Sequence, residues 1–348
     1  MGTLSFEPTG GPLGAFVHGL HFDNIDGRVL LDALNEYRLL CIRGQVIADD
    51  EHTALASSLG HLATEGAGFI TLVSNVAPGG ALGGDGASWH SDYMFYPSPY
   101  EYISLYALEL PASGTQTRFV DAVAAARALP AALRASVAGL EGRAVADLSP
   151  RSPGQAGIVY LDGRRDGVDP HFLRPVLWPH PATGEEVLAV WHQQTDAILP
   201  LPQEASVALL HELFAHLYQP AFQYVHQWEA HDLVIWDNRA LQHSRPHVGT
   251  TDPRTLRRIS VGEDQDLSIF YTMEPAGGPA LPQQAQPPNH LSGASGTSLH
   301  RNRESRKIVS RSTKWHSAGE ASQDVRCDCG GHIRGRHGPG RAAVHSIT

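Results

Sequence analysis

The sequence predicts a mostly β protein with helices, a β-sandwich or jelly roll that carries helical insertions. Three observations predict it. Short apolar runs bounded by Gly, Pro, Asn and Asp recur along the first three-quarters of the chain. A few other segments place their apolar residues at helical spacing. The two kinds interleave with no internal repeat, which suits a layered β fold with helical insertions better than a solenoid.

Ala15–Leu20 reads as a strand. Arg28–Arg38 reads as a helix, with Val29, Leu30, Leu34 and Tyr37 along one face. Leu39–Arg43 is an apolar strand that ends at Gly44. Asp49 or Asp50 is expected to cap a helix over Glu51–Leu59, which Gly60 closes. A glycine-rich stretch, Gly66–Gly86, surrounds a strand at Phe69–Ser74. Tyr102–Leu108 and Thr117–Val120 are strands, separated by a turn at Pro111-Ala-Ser-Gly114. Asp121 caps a short Ala-rich helix, and Pro130 opens a helical stretch that runs to Ala138. Gly142–Gly167 reads as a loop. Strands at Arg174–Trp178 and Val187–Trp191 flank the turn His180-Pro-Ala-Thr-Gly184. Gln203–Tyr218 is the strongest helix, with Val207, Leu210, Leu213, Phe214 and Leu217 in phase. Strands follow at Phe222–Trp228, Leu233–Trp236 and Arg257–Val261.

The 348 residues are 42% hydrophobic and 18% charged, with a net charge of −10. Acids outnumber bases 36 to 26, so the chain lacks the basic footprint of a nucleic-acid binder. The total conceals a split. Residues 1–274 contain 16 Arg, no Lys and 32 acids, whereas residues 275–348 carry a net +6. Apolar periodicity stops near Pro275 and gives way to a basic, Gly/Ser/Arg-rich segment. Such a composition buries too little apolar surface to offset its ordering entropy, so 1–274 is expected to be the folded domain and 275–348 a disordered tail. Cys41, Cys327 and Cys329 do not make a disulfide framework. No signal peptide and no membrane-spanning run are visible, and the expectation is a cytoplasmic protein that does not engage membranes.

Twenty histidines make chance metal motifs common. His-x-Asp occurs at His21-Phe-Asp23, where a strand-end turn accounts for it, and again at His90-Ser-Asp92, among aromatic residues. On a strand, residues i and i+2 share a face, so either pair could offer an imidazole and a carboxylate to one ion. Far downstream, Trp236-Asp-Asn-Arg-Ala-Leu-Gln-His243 carries a further His beyond a turn. Arg254 lies eleven residues later and Arg258 fifteen later. One His-x-Asp plus a distant His makes the two-histidine, one-carboxylate set that suits Fe(II) with open positions. A cosubstrate that chelates iron through a keto acid would need a bidentate cation for its far carboxylate, which Arg supplies well. The tail sequence Cys327-Asp-Cys329…His332 lacks a fourth close ligand and reads as chance.

Arg38-Leu-Leu-Cys-Ile-Arg-Gly-Gln45, Trp89-His-Ser-Asp92, Gly114-Thr-Gln-Thr117, Arg174-Pro with His180–Gly184, and the segment from Trp236 to Arg258 occur in an order that resembles the taurine/2,4-dichlorophenoxyacetate dioxygenase (TauD/TfdA) family. The likeness runs over roughly residues 4–268. It implies a double-stranded β-helix (jelly-roll) core with flanking helical insertions, together with Fe(II), 2-oxoglutarate and O2 as cofactor and cosubstrates. It implies hydroxylation of a small-molecule substrate with release of succinate and CO2, and it is compatible with a homo-oligomer. By resemblance His90, Asp92 and His243 hold the iron, while Arg254 and the Thr117 hydroxyl hold the far carboxylate of 2-oxoglutarate. Arg258 matches a position that in some members faces a substrate anion; the other reading is a strand Arg paired with a carboxylate. Tyr93 and Phe95 are candidate pocket residues, and the glycine-rich 76–86 stretch is a candidate lid.

The sequence also departs from the pattern. Where taurine enzymes carry a His-containing segment used on the sulfonate, this chain has His61-Leu-Ala-Thr-Glu-Gly66, which argues against taurine. Glu65 is expected to be solvent-exposed; facing the pocket, it would suit an amine-bearing substrate. Retention of Asp92 favours hydroxylation over halogenation. The rival readings are the same oxidant used for desaturation, cyclisation or C–heteroatom cleavage, a non-catalytic metal-binding jelly roll, and a Zn(II) hydrolase. The last leaves Arg254 without a purpose.

Overall fold

Period-two alternation in the central strands builds the fold. The computed structural model describes residues 3–65, 68–146, 171–249 and 252–265. In chain order its elements begin with β1 (Ser5–Pro8), β2 (Ala15–His18), α1 (Gly27–Tyr37), β3 (Leu39–Ile42) and α2 (Asp49–Leu59). Then come β4 (Ile70–Ser74), β5 (Ala81–Leu82), β6 (Ala87–His90), β7 (Tyr102–Glu109) and β8 (Gln116–Asp121). Helices α3 (Ala122–Arg127) and α4 (Ala131–Val137) precede β9 (Glu141–Val145), β10 (His171–Pro175), β11 (Leu177–Pro179), β12 (Glu186–Leu188) and β13 (Thr195–Leu199). The remainder is α5 (Gln203–Leu217), β14 (Gln223–Gln227), β15 (Leu233–Asp237), β16 (Leu241–Arg245) and β17 (Thr255–Val261).

A large sheet has the order β1-β2-β3-β15-β7-β17-β4-β5, and a second sheet has the order β14-β8-β16-β6. Leu39 and Cys41 of β3, Val234 and Trp236 of β15, and Ile103, Leu105 and Ala107 of β7 share one buried cluster with Phe119 and Leu241 of the second sheet. The intervening residues Leu40, Ile42, Leu233, Ile235, Tyr102 and Tyr106 join a different cluster with Leu30 and Leu34 of α1 and Leu55 and Leu59 of α2. Central strands covered on both faces are apolar over most of their length, as these runs are, and the buried Ser104 of β7 donates to the Ile259 carbonyl at 3.1 Å. A third cluster packs Val123 of α3 and Leu210, Leu213 and Leu217 of α5 against Val187, Leu188 and Ile198.

Asp26 caps α1, its Oδ1 accepting from the Arg28 amide at 3.0 Å. Gly27, the first residue of α1, lies so close to α2 that a Cβ there would fall 2.0 Å from the Ser58 carbonyl oxygen. Asp121 caps α3 as the sequence predicts, accepting from the Val123 and Ala124 amides at 2.9 Å.

Four expectations need correction. The cap position of α2 is Ala48, with Asp49 and Asp50 inside the first turn; Glu51 reaches back and accepts from the Ala48 amide at 2.7 Å. The strand expected over Arg174–Trp178 is two strands in different sheets, parted at Val176, whose carbonyl accepts from the Ala189 amide. The expected loop from Gly142 begins as β9, paired with both β10 and β13. Strands β1, β5, β6, β13 and β16 were not foreseen. The chain divides at Pro282, and every described residue lies in the first unit. The expected boundary at residue 274, the tail 275–348 and the Cys327/Cys329/His332 motif lie outside the described residues. Among the described residues, no helix is long and apolar enough to cross a membrane.

Candidate metal and cosubstrate site

Two strands of the second sheet create the site. β16 runs antiparallel to β6, and the register sets His243 directly opposite His90. Cross-strand partners approach to contact distance, which brings together two histidines far apart in sequence. Their ring centroids are 4.1 Å apart. His90 ends β6, so Asp92 sits in the following turn and not on the same strand face, contrary to the i, i+2 expectation. Tyr93 takes a left-handed conformation (φ +61°) that reverses the chain immediately after Asp92.

The turn is held by Asn238, which sequence reasoning missed. Its Oδ1 accepts from the Asp92 amide at 2.8 Å, and its Nδ2 donates to the carbonyls of Asp92 at 2.9 Å and Tyr100 at 3.0 Å. Asp237 beside it caps the 237–240 turn, accepting from the Arg239 and Ala240 amides. Its other oxygen lies 3.0 Å from His180 Nε2, both side chains fully buried.

Asp92 Oδ1 lies 3.5 Å from His90 Nε2 and 3.9 Å from His243 Nε2. His90 Nδ1 is 2.6 Å from the Ser88 carbonyl, which places a proton on Nδ1 and leaves the Nε2 lone pair facing the cluster. Burial pushes the Asp92 carboxyl upward, but Arg258, with the two histidines, outweighs it and holds the pKa at about 2. Burial and the neighbouring His90 push His243 down to about 3. An ionised carboxylate beside a neutral imidazole is the protonation state in which such groups ligate a cation.

A cavity of about 240 Å³ adjoins these atoms, and it is lined by all eight residues singled out from the sequence: His90, Asp92, Tyr93, Phe95, Thr117, His243, Arg254 and Arg258. Thr117 is buried on β8, and its Oγ1 accepts from Trp228 Nε1 at 3.0 Å, so its own hydroxyl proton remains available to an acceptor. Arg254 is 1% exposed; its Nε donates to Thr115 Oγ1 at 3.2 Å and its Nη1 has no partner. Arg245, a second residue that the sequence reading passed over, also lines the cavity. Its Nη2 donates to the carbonyls of Leu82, Gly83 and Asp85, while Nε and Nη1 have no partner. Burial lowers Arg245 to about 10, and burial together with Arg245 lowers Arg254 to about 9. Among the described residues no carboxylate is bonded to these two buried guanidiniums, and their unused donors could receive an anion.

Arg258 differs. Its Nη1 donates to both Glu65 oxygens at 2.7 and 2.5 Å, and its Nη2 to Asp92 Oδ2 at 2.7 Å. Of the two readings open for Arg258, the structure brings about the carboxylate pairing. Glu65 is not solvent-exposed as expected: its side chain is 10% exposed and also accepts from Ser260 Oγ at 2.8 Å. Leu82 and Ala81 of the expected lid line the cavity, and Arg245 pins that stretch by its carbonyls.

Among the described residues one other cluster has metal-ligating types, Cys41, His226 and Asp232, all buried. Asp232 there already accepts from Arg43 at 3.1 and 3.2 Å and from the Glu229 amide at 2.9 Å, and burial pushes the Cys41 thiol up to about 12. It serves as a hydrogen-bond hub that joins β3, β14 and β15. His21 and Asp23 belong to neither cluster.

The family profile described as "Taurine catabolism dioxygenase TauD, TfdA family" matches residues 5–260. The chain belongs to the TauD/TfdA family of dioxygenase enzymes. Similar members include an (S)-phenoxypropionate/alpha-ketoglutarate-dioxygenase from Delftia acidovorans, 31% identical over 261 residues that cover 69% of this chain and 89% of that one. Pentalenolactone F synthase from Streptomyces arenae is 29% identical over 301 residues, 77% and 95% of the two chains. Among solved structures, AAD-2 in complex with Mn(II) and N-oxalylglycine superimposes with a TM-score of 0.62 at 25% identity, covering 75% of this chain and 97% of that one. The mostly β architecture agrees with such neighbours.

Proposed function

We propose that this family member is an Fe(II)- and 2-oxoglutarate-dependent dioxygenase, built on a double-stranded β-helix core, that hydroxylates an unactivated C–H bond of a small-molecule substrate. The observation that carries the reading is the meeting of two features in one cavity: a two-histidine, one-carboxylate cluster, and a buried arginine pair with unused donors. The donor set suits Fe(II), since three ligands leave positions open for a chelating keto acid and O2. The named relatives support the cosubstrate, one being called an alpha-ketoglutarate-dioxygenase and another having been crystallised with Mn(II) and N-oxalylglycine.

His90, Asp92 and His243 would hold the metal. The bound iron, 2-oxoglutarate and O2 supply the oxidising power, with succinate and CO2 as co-products. The protein's share is placement. Arg254, with the Thr117 hydroxyl, would receive the far carboxylate of 2-oxoglutarate, and Arg245 would add a second positive charge there. Neither the Zn(II) hydrolase nor the non-catalytic reading gives these buried arginines a purpose. Asn238 fixes the backbone of Asp92, and Asp92 Oδ2 is held by Arg258, so Oδ1 is the oxygen turned toward the histidines. Trp236 and Phe119 pack edge-on at 5.3 Å with Trp236 against His243 at 5.0 Å, walling the cluster from water. Tyr93, Phe95 and the 76–86 stretch would close over the substrate.

The test is anaerobic addition of 2-oxoglutarate to the Fe(II) protein. A visible metal-to-ligand charge-transfer band is expected, and it should vanish in His243→Ala. No band in the wild type, or an unchanged band in the variant, refutes the reading.

A further inference from the structure

Arg258 faces the cavity yet has no unused charge to offer. Its guanidinium sits between two carboxylates, Glu65 on one side and Asp92 on the other, each within 2.7 Å. Glu65 is fixed in turn by Ser260 Oγ at 2.8 Å and lies within 3.4 Å of Thr71 Oγ1. The trio has one positive and two negative charges in a site where all three side chains are largely buried. An incoming carboxylate or sulfonate would meet an Arg258 already engaged by Glu65 and Asp92, and like charges at low dielectric repel strongly. Elsewhere in the lining Arg245 and Arg254 have unused donors, so among the lining arginines the free anion-binding capacity lies with that pair.

The geometry points to Glu65 as a specificity-determining residue that occupies the anion receptor at Arg258 and selects a primary substrate with no negative charge on the end facing that wall. The inference rests on the proposed dioxygenase reading and adds the substrate class. The substrate's reactive end would lie against Tyr93, Phe95 and the Asp92 side of the cluster. Its recognised group at Arg258 would be apolar or a neutral hydrogen-bonding group that accepts no formal charge. Glu65 thereby also orients Arg258 onto Asp92 Oδ2, which makes it a positioning residue for the metal-binding carboxylate.

The experiment uses the Fe(II) protein with 2-oxoglutarate under anaerobic conditions, in the wild type, Glu65→Gln and Glu65→Ala. Two matched pairs of probes, benzoate with benzamide and phenoxyacetate with phenoxyacetamide, are titrated by ligand-observed NMR. The charge-transfer band and the melting temperature are recorded for each protein. Freeing Arg258 should raise affinity for the two acids at least tenfold over wild type, with no comparable gain for the amides. Acids that bind wild type as well as either variant overturn the proposal, and so do acids that bind neither. A normal band alongside that outcome leaves the dioxygenase reading standing. No band in wild type overturns that reading and this inference with it. Glu65→Ala guards against Gln filling the same space, and melting temperatures separate a folding defect from a change of specificity.

Discussion

Replacement of Arg254 by Met should weaken cosubstrate binding and strengthen the empty protein. The guanidinium is 1% exposed, its Nη1 has no partner, and burial with Arg245 lowers its pKa to about 9 from 12.5. At roughly 1.4 kcal/mol per unit, on the order of 5 kcal/mol works against the charged form when no anion is bound. Met fills similar length without that charge and loses only the hydrogen bond to Thr115 Oγ1, worth about 1 kcal/mol. Even a net gain of 1–2 kcal/mol would raise the melting temperature of the protein without cosubstrate by roughly 2–8 °C for a domain of this size. The opposite holds for 2-oxoglutarate. A forked charge-assisted contact contributes about 3–4 kcal/mol, so its loss should weaken affinity by about 10²–10³-fold. Anaerobic titration of the charge-transfer band reads the cosubstrate, competition with a chelator reads iron, and differential scanning fluorimetry reads stability. Iron affinity should change little, because Arg254 touches no residue of the cluster. Equal loss of iron and 2-oxoglutarate, or a lower melting temperature in the absence of cosubstrate, would refute the assignment.

Asn238→Ala should lower iron affinity by about 10–100-fold, because Asn238 alone clamps both sides of the Asp92 peptide; chelator competition measures this, and an unchanged affinity would discard the clamp. Thr117→Val keeps the shape but removes the hydroxyl, and should weaken 2-oxoglutarate about tenfold while leaving iron alone, as read by the same anaerobic titration. His52 supplies a pH test away from the cluster. It is fully buried, its Nδ1 accepts from Arg257 at 3.0 Å, and burial with Arg257 lowers its pKa to about 3. The unfolded chain therefore binds a proton that the folded chain refuses between pH 6.5 and about 3, so this stability is complete above 6.5 and declines as pH falls, at about 1.4 kcal/mol per pH unit. His52→Gln should flatten the melting-temperature profile between pH 6.5 and 4, and an identical slope in both proteins would rule His52 out.

How much of this was legible in the sequence depended on what each residue answers to. Strands β3, β7 and β15 were visible because both of their faces meet apolar layers, which leaves a hydrophobic run interrupted within β7 by Ser104 alone. Strands β6 and β16 were not, because Ala-Ser-Trp-His and Leu-Gln-His-Ser-Arg place functional polar side chains where a pattern would show alternation. The metal cluster was found through residue types and resemblance, whereas the cross-strand register that joins its halves has no local signal. Arg245 and Asn238 escaped for a similar reason, and so did the pairing of Glu65, a residue expected at the surface, with Arg258. Each acts through a partner more than 140 residues away, and spacing along the chain is silent about such contacts.

Strand β17 shows how one residue type comes to do three things. Alternation sends Leu256 and Arg258 toward the inter-sheet core and the cavity, in phase with Arg254, while Arg257 and Ile259 point to the helical side. Arg257 there meets Asp49, His52 and the Ile47 carbonyl and sits over the Tyr106 ring, a closed set of partners that ties α2 to the sheet. Arg258, one position on, meets two carboxylates and is also closed. Of these three arginines, only Arg254, just before the strand, reaches the cavity with a donor to spare. The acidic balance of residues 1–274 therefore says little about what the site attracts. What decides it is which arginines the fold supplies with a carboxylate: Glu65 and Asp92 pair with Arg258, whereas among the described residues no side-chain carboxylate bonds to Arg245 or Arg254.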